Sequence, residues 1–103
     1  TMEDFQYLYI TTLNETLNFK LNQMAKLLQA DGITRVGADV STLESMQKLV
    51  GGYIEMVHLN DGQVLVCNEE GLLYGLPFNI NASELAGLQI VGDAILCDRN
   101  EIR

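Results

Sequence analysis

Apolar and polar positions follow blocks of different period along this chain, and each period predicts an element. Phe5 to Thr11 (FQYLYIT) is aromatic and β-branched, the composition of a first strand. Leu13, Leu17, Leu21, Met24, Leu27 and Leu28 then recur at three- and four-residue steps, which predicts one long amphipathic helix. Gly32, after Ala30-Asp31, reads as its C-terminal stop. Ile33 to Val40 is expected as a second strand, weakened by Gly37. Ser41 with Glu44 fits a capping box, opening a short helix Thr42 to Val50 that ends at Gly51-Gly52.

The following stretch is β in character. Tyr53 to Leu59 and Gln63 to Asn68 flank Asn60-Asp61-Gly62, and Asp-Gly is a strong hairpin signal. A two-residue turn at Asp61-Gly62 would set Leu59 opposite Val64, His58 opposite Leu65, Val57 opposite Val66 and Met56 opposite Cys67. Both faces of that ribbon carry apolar residues, so the sheet should be covered on both sides or central. Asn68-Glu69-Glu70-Gly71 suits a type I turn leading into a third strand at Leu72-Leu73-Tyr74. Pro77 breaks the ladder, Asn81 with Glu84 is an expected N-cap for a helix through Leu88, and Ile90 to Cys97 closes the domain as a strand. The polar tail Asp98 to Arg103 is expected to fray. This order predicts a single α+β domain over residues 1–103, a mostly antiparallel sheet of five to six strands with one long helix and two short ones.

Composition narrows the class. The chain has 103 residues and 11.4 kDa, with 48% apolar and 19% charged residues, which is ordinary globular make-up. Its formal charge of −8 argues against binding nucleic acid through phosphates, which needs Lys and Arg to displace counterions. No apolar run reaches the roughly 20 residues of a membrane span. Thr1 before Met2 looks like a cloning remnant, and the start lacks the pattern of an export signal, so a cytoplasmic location is expected. Between Lys48 and Arg99 there is no Lys or Arg but there are seven acids: Glu55, Asp61, Glu69, Glu70, Glu84, Asp93 and Asp98. They are either solvated turns and edges or an acidic face aimed at a basic partner, where complementarity raises association rate and selectivity. Glu55, Asp61, Glu69 and Glu70 are the candidate partner-binding residues.

Candidate chemistry is sparse. Asp61, Glu69 and Glu70 at hairpin ends match no calcium-loop spacing, and Cys67 and Cys97 no metal-ligand pattern, so neither metal nor cofactor is expected. The two cysteines read as small buried hydrophobes. His58, the single histidine, reads as a half-buried structural residue, with Cys67 reachable only diagonally as a thiol partner. Gly71 to Ser83 holds turn glycines, aromatics and a helix start, which together can hold a small nucleotide without Lys or Arg. Tyr74, Phe78, Asn79, Asn81 and Ser83 would line that alternative site. Phosphate-loop, zinc-protease and nucleophile-elbow motifs do not occur, so no enzyme is expected.

From Ser41 to Cys97 the blocks Val50-Gly51-Gly52-Tyr53-Ile54-Glu55, Asn68-Glu69-Glu70-Gly71 and Gly75-Leu76-Pro77-Phe78-Asn79 carry a likeness. The chain resembles a family of small proteins of unknown function typical of bacteriophages and bacterial mobile elements. The first forty residues depart from it, so residues 1–32 are expected as an addition to a family core over 33–103. The resemblance assigns no catalytic residue and implies a setting: inhibition of a host protein, such as a restriction or CRISPR component, by a non-enzymatic counter-defence binder. The alternatives are a sponge for a nucleotide second messenger and an oligomeric interaction module, with a homodimer seam on the Leu13 to Leu28 stripe.

Overall fold

The computed structural model describes residues 24–102. Five strands form one antiparallel sheet in the order β2-β1-β5-β4-β3: β1 (Lys26–Leu28), β2 (Thr34–Val36), β3 (Ile54–His58), β4 (Gln63–Asn68) and β5 (Ala94–Asp98). Among the described residues two α-helices accompany it, α1 (Leu43–Val50) and α2 (Ile80–Ala86), giving the expected α+β class. Each outer pair is a hairpin, and the C-terminal strand β5 zips the two hairpins together by pairing with β1 and β4.

The two hairpins turn by the same device. Ala30-Asp31-Gly32 and Asn60-Asp61-Gly62 are three-residue loops closed by Gln29 N–H to Ile33 O and Leu59 N–H to Gln63 O, each 2.9 Å. In both, the Asp carboxylate accepts the backbone N–H two residues on, at Ile33 (2.9 Å) and Gln63 (3.2 Å). The glycine then takes the left-handed conformation that closes such loops, with φ of 93° at Gly32 and 84° at Gly62. This corrects two expectations. The turn after β3 has three residues and not two, so the register shifts by one: His58 pairs with Val64, Val57 with Leu65, Met56 with Val66 and Glu55 with Cys67. Gly32 ends no helix; Lys26–Leu28 is a strand, with Leu27 and Leu28 buried on opposite faces. The rest of the expected helix, Leu13 to Leu21, and the strand Phe5 to Thr11 lie outside the described residues, as does the homodimer seam for the most part.

The sheet is covered on both faces at its centre, as the two-sided apolar pattern predicts. On one face Leu27, Val64, Val66, Ile95 and Cys97 pack beneath Met46 and Val50 of α1. On the other Leu28, Leu65, Cys67 and Ala94 pack with Ala82 of α2 and Ile90. Leu65 and Ile95 are fully buried, and burial of an aliphatic side chain of that size contributes about 1.5–3 kcal/mol.

The caps differ from expectation by one or two positions. Thr42, not Ser41, caps α1 by accepting from Ser45 N–H at 3.0 Å, while Ser41 bonds to Asp39. Asn79, not Asn81, caps α2, accepting from Ala82 N–H at 3.1 Å, and Gly87 ends that helix before Leu88. The last strand begins at Ala94, because Gly92 takes a left-handed turn (φ 77°) after Val91 bridges to Phe78. The tail is ordered into a single 3-10 turn, Arg99–Glu101, where Asp98 and Glu101 form a reciprocal capping box.

Candidate functional site

The segment after β4 departs most from its expectation. Asn68-Glu69-Glu70-Gly71 does form a turn, with Gly71 N–H donating to Asn68 O and Glu70 N–H to Asn68 Oδ1. Leu72-Leu73-Tyr74 is no strand, however. Tyr74 N–H donates to Glu70 O and Leu76 N–H to Gly71 O, which winds residues 71–75 into a compact knuckle. Its base is tightly fitted: a Cβ at Gly71 would meet Val91 Cγ2 at 2.8 Å, and Leu76 fills the space beside Gly92. Its tip faces water, leaving Leu72, Leu73 and Tyr74 at 70%, 77% and 65% exposure. Contiguous exposed apolar side chains of this size mark interaction surfaces.

Beside the knuckle lies a shallow groove of about 90 Å³, with Glu55 of β3, Glu69, Leu72 and Leu88 along its sides and Cys67 and Ile90 among its lining. Glu55 and Glu69 are exposed there, and their carboxylates give an apolar surface an acidic border. Of the four candidate partner-binding acids, the structure brings together Glu55, Glu69 and the adjoining Glu70. Asp61 lies at the opposite end of β4, about 20 Å away by strand rise, with its carboxylate on its own turn. Asp93 and Asp98 likewise hold backbone, at Ala30 N–H and Asn100 N–H. The acids therefore divide into aspartates that build turns and glutamates that face solvent.

The alternative nucleotide residues are not assembled into a site. Asn79 is 1% exposed, and its Nδ2 donates to Leu28 O and Gly92 O, both at 2.8 Å. Ser83 Oγ donates to Ile90 O and accepts from Ile90 N–H, while the Ala82 and Ser83 amides of α2 donate to Asn79 Oδ1 and Asn79 O. Asn79 and Ser83 hold the chain to the sheet, Asn81 is a residue of the helix, and only Tyr74 and Phe78 stay exposed to meet a base. Asn79 and Asn68, which links Val50 O to the knuckle turn, are the key polar residues that sequence reasoning missed as such. The signals available were Asn68 at the first position of a turn and Asn79 as an Asn preceding a helix.

His58 and Cys67 lie on opposite faces of the sheet, so no thiol–imidazole pair exists. His58 is exposed and not half-buried. Cys67 and Cys97 are free, buried and on opposite faces, as expected of small hydrophobes. Burial raises both thiols above their ordinary pKa, Cys97 to about 11, with Glu55 adding to the effect at Cys67 and Glu101 and Asp98 at Cys97. Among the described residues no cluster of His, Cys, Asp and Glu suits a metal ion, and no helix is long and apolar enough to cross a membrane.

A family model described as a domain of unknown function, DUF3846, matches residues 1–102. The chain belongs to the DUF3846 family. The DUF3846 match takes in the first forty residues as well as the Ser41 to Cys97 stretch. No curated protein and no solved structure is significantly similar to the chain.

Proposed function

We propose that this DUF3846 protein is a non-enzymatic binder that docks a basic, partly apolar protein surface on the knuckle at residues 71–75 and its acidic border. The observation that carries this reading is the exposed Leu72-Leu73-Tyr74 tip, wound by backbone hydrogen bonds, beside Glu55, Glu69 and the adjoining Glu70. Apolar tips with a charged rim fit the anatomy of protein interfaces, in which an aromatic anchor supplies affinity and the rim supplies steering. The phage-type setting that the resemblance implies makes a host protein, such as a restriction or CRISPR component, the partner to test, and a bacterial cytoplasm the place. The acids of the groove then imitate the phosphates such a host enzyme ordinarily meets.

Affinity capture from a phage-infected bacterial lysate, repeated with variants, tests the reading. A specific partner should be retained by wild type and by Asp61→Lys, and lost by Leu73→Ser/Tyr74→Ser and by Glu55→Lys/Glu69→Lys/Glu70→Lys. Equal capture by all four would refute the surface. A partner lost only with Asp61→Lys would move the interface to the other end of β4.

A further inference from the structure

We infer that the cleft between β2 and α1 is a binding site for a small organic anion with an apolar body. It lies on the opposite edge and opposite face of the sheet from the knuckle, and its volume is about 470 Å³. That falls within the roughly 300–1,000 Å³ of ligand pockets, whose usual make-up is an apolar lining with few placed polar groups. Leu27, Ala38 and Leu49 supply the apolar surface, and Arg35 and Lys48 supply the charge.

The two cations are what identify the ligand class. The chain has only six Lys and Arg against 14 acids, yet two of the six line the same concavity. Arg35 is on β2, across the ladder from Leu27, and so faces the α1 side; Lys48 is in the last turn of α1. Two cations lining one concave surface make its potential favourable to an anion. Arg35 is steadied by a side-chain amide, with Nε donating to Gln29 Oε1 at 2.8 Å. Asp39, the one carboxylate among the described residues lining the cleft, accepts from the backbone N–H and hydroxyl of Ser41 and from the hydroxyl of Ser45, which hold it ionised at α1's entry. It therefore serves the local turn, and with Arg35 and Lys48 the described lining still carries one net positive charge for a ligand.

The test uses α-naphthyl phosphate as the probe, with inorganic phosphate and α-naphthol as its two halves, followed through the backbone amide shifts of the whole chain. The phosphate ester should shift the amides of Gly37, Ala38 and Leu49 and bind at least tenfold more tightly than either half. Arg35→Gln and Lys48→Gln, both at exposed positions, should each weaken it about tenfold, the loss expected for one charge-assisted hydrogen bond. Absence of shifts at millimolar probe, shifts confined to other residues, or equal binding by the Arg35→Gln/Lys48→Gln variant would each overturn the assignment. The Glu55→Lys/Glu69→Lys/Glu70→Lys variant should bind the probe like wild type, so the cleft and the knuckle stand or fall separately.

Discussion

The two hairpins share one turn and serve different ends. Each has an Asp-Gly loop of three residues, the same Asp carboxylate bond and a left-handed glycine, so the backbone solution at Ala30-Asp31-Gly32 repeats at Asn60-Asp61-Gly62. Their surroundings differ in charge. Residues 24–50, which hold the first hairpin and α1, have three cations and three acids; residues 51–98, which hold the second hairpin and α2, have seven acids and no Lys or Arg. Turn chemistry therefore sets the geometry of each edge, and charge distribution sets what that edge can meet. One end offers a cleft with two cations, the other an apolar knuckle bordered by glutamates.

The strongest way to break the comparison is to cut what joins the halves. Asn79→Ala removes two buried hydrogen bonds, to Leu28 O in the first half and Gly92 O in the second, together with the α2 cap. It should lower unfolding free energy by about 3 kcal/mol in urea melts, since buried carbonyls left unpaired add to the lost bonds. A loss below about 1 kcal/mol would show that Asn79 is not a main link and that β5 pairing with the remaining bonds, such as Ala30 N–H to Asp93, holds the halves together.

Glycine substitutions test each half separately. Gly92→Ala combines φ of 77° with a Cβ at 2.7 Å from Leu76 Cδ1, and should cost about 2 kcal/mol while loosening the knuckle. Gly32→Ala has similar φ but open space, and should cost only about 1 kcal/mol. Reversed order in thermal melts would mean that the first hairpin is the stiffer one.

The cysteines sharpen the comparison face by face. Cys97 has its thiol pKa raised to about 11 by burial, so the thiol form is favoured in the folded state. Its contribution is intact below about pH 9, where the unfolded thiol is still protonated, and is lost as pH rises towards the folded value. Stability should fall by about 1–2 kcal/mol more between pH 9 and pH 11 in wild type than in Cys97→Ala, with urea midpoints as the readout. An identical pH slope in the two proteins would contradict that burial effect.

The smallest effect concerns the cap of α1. Thr42→Ala should cost about 1 kcal/mol and Ser41→Ala a few tenths, because only Thr42 bonds to an α1 amide. Equal losses would return the cap to Ser41.

Much of the second half was legible in the chain. The reversal at Asp61-Gly62, though not its three-residue length or the register it sets, the Asn68 turn, the strand Gln63–Asn68 and the two-sided apolar pattern of the sheet follow from residues adjacent in sequence. The site was less legible. Leu72-Leu73-Tyr74 has strand composition, but the tight fits of Gly71 against Val91 and of Leu76 against Gly92 curl it outward, and those contacts join residues 20 and 16 positions apart. The acids could be counted, but their sorting into turn-building aspartates and outward glutamates depends on which backbone amides come near them. The cleft was invisible, because Arg35 and Lys48 come to line one concavity only when α1 folds back over the sheet.

By itself, the sequence determined the charge segregation and the approximate places where the chain turns, but the caps fell on Thr42 and Asn79 and not on Ser41 and Asn81, and Gly32 closed a hairpin and not a helix. Only the tertiary structure decided that Lys26–Leu28 is a strand. Its spacing of leucines suits a helix equally well, and the deciding partners are Ala94 to Leu96, at the far end of the chain. Short apolar segments carry no preference strong enough to resist such pairing, so burial on both faces of β5's neighbour settles their conformation.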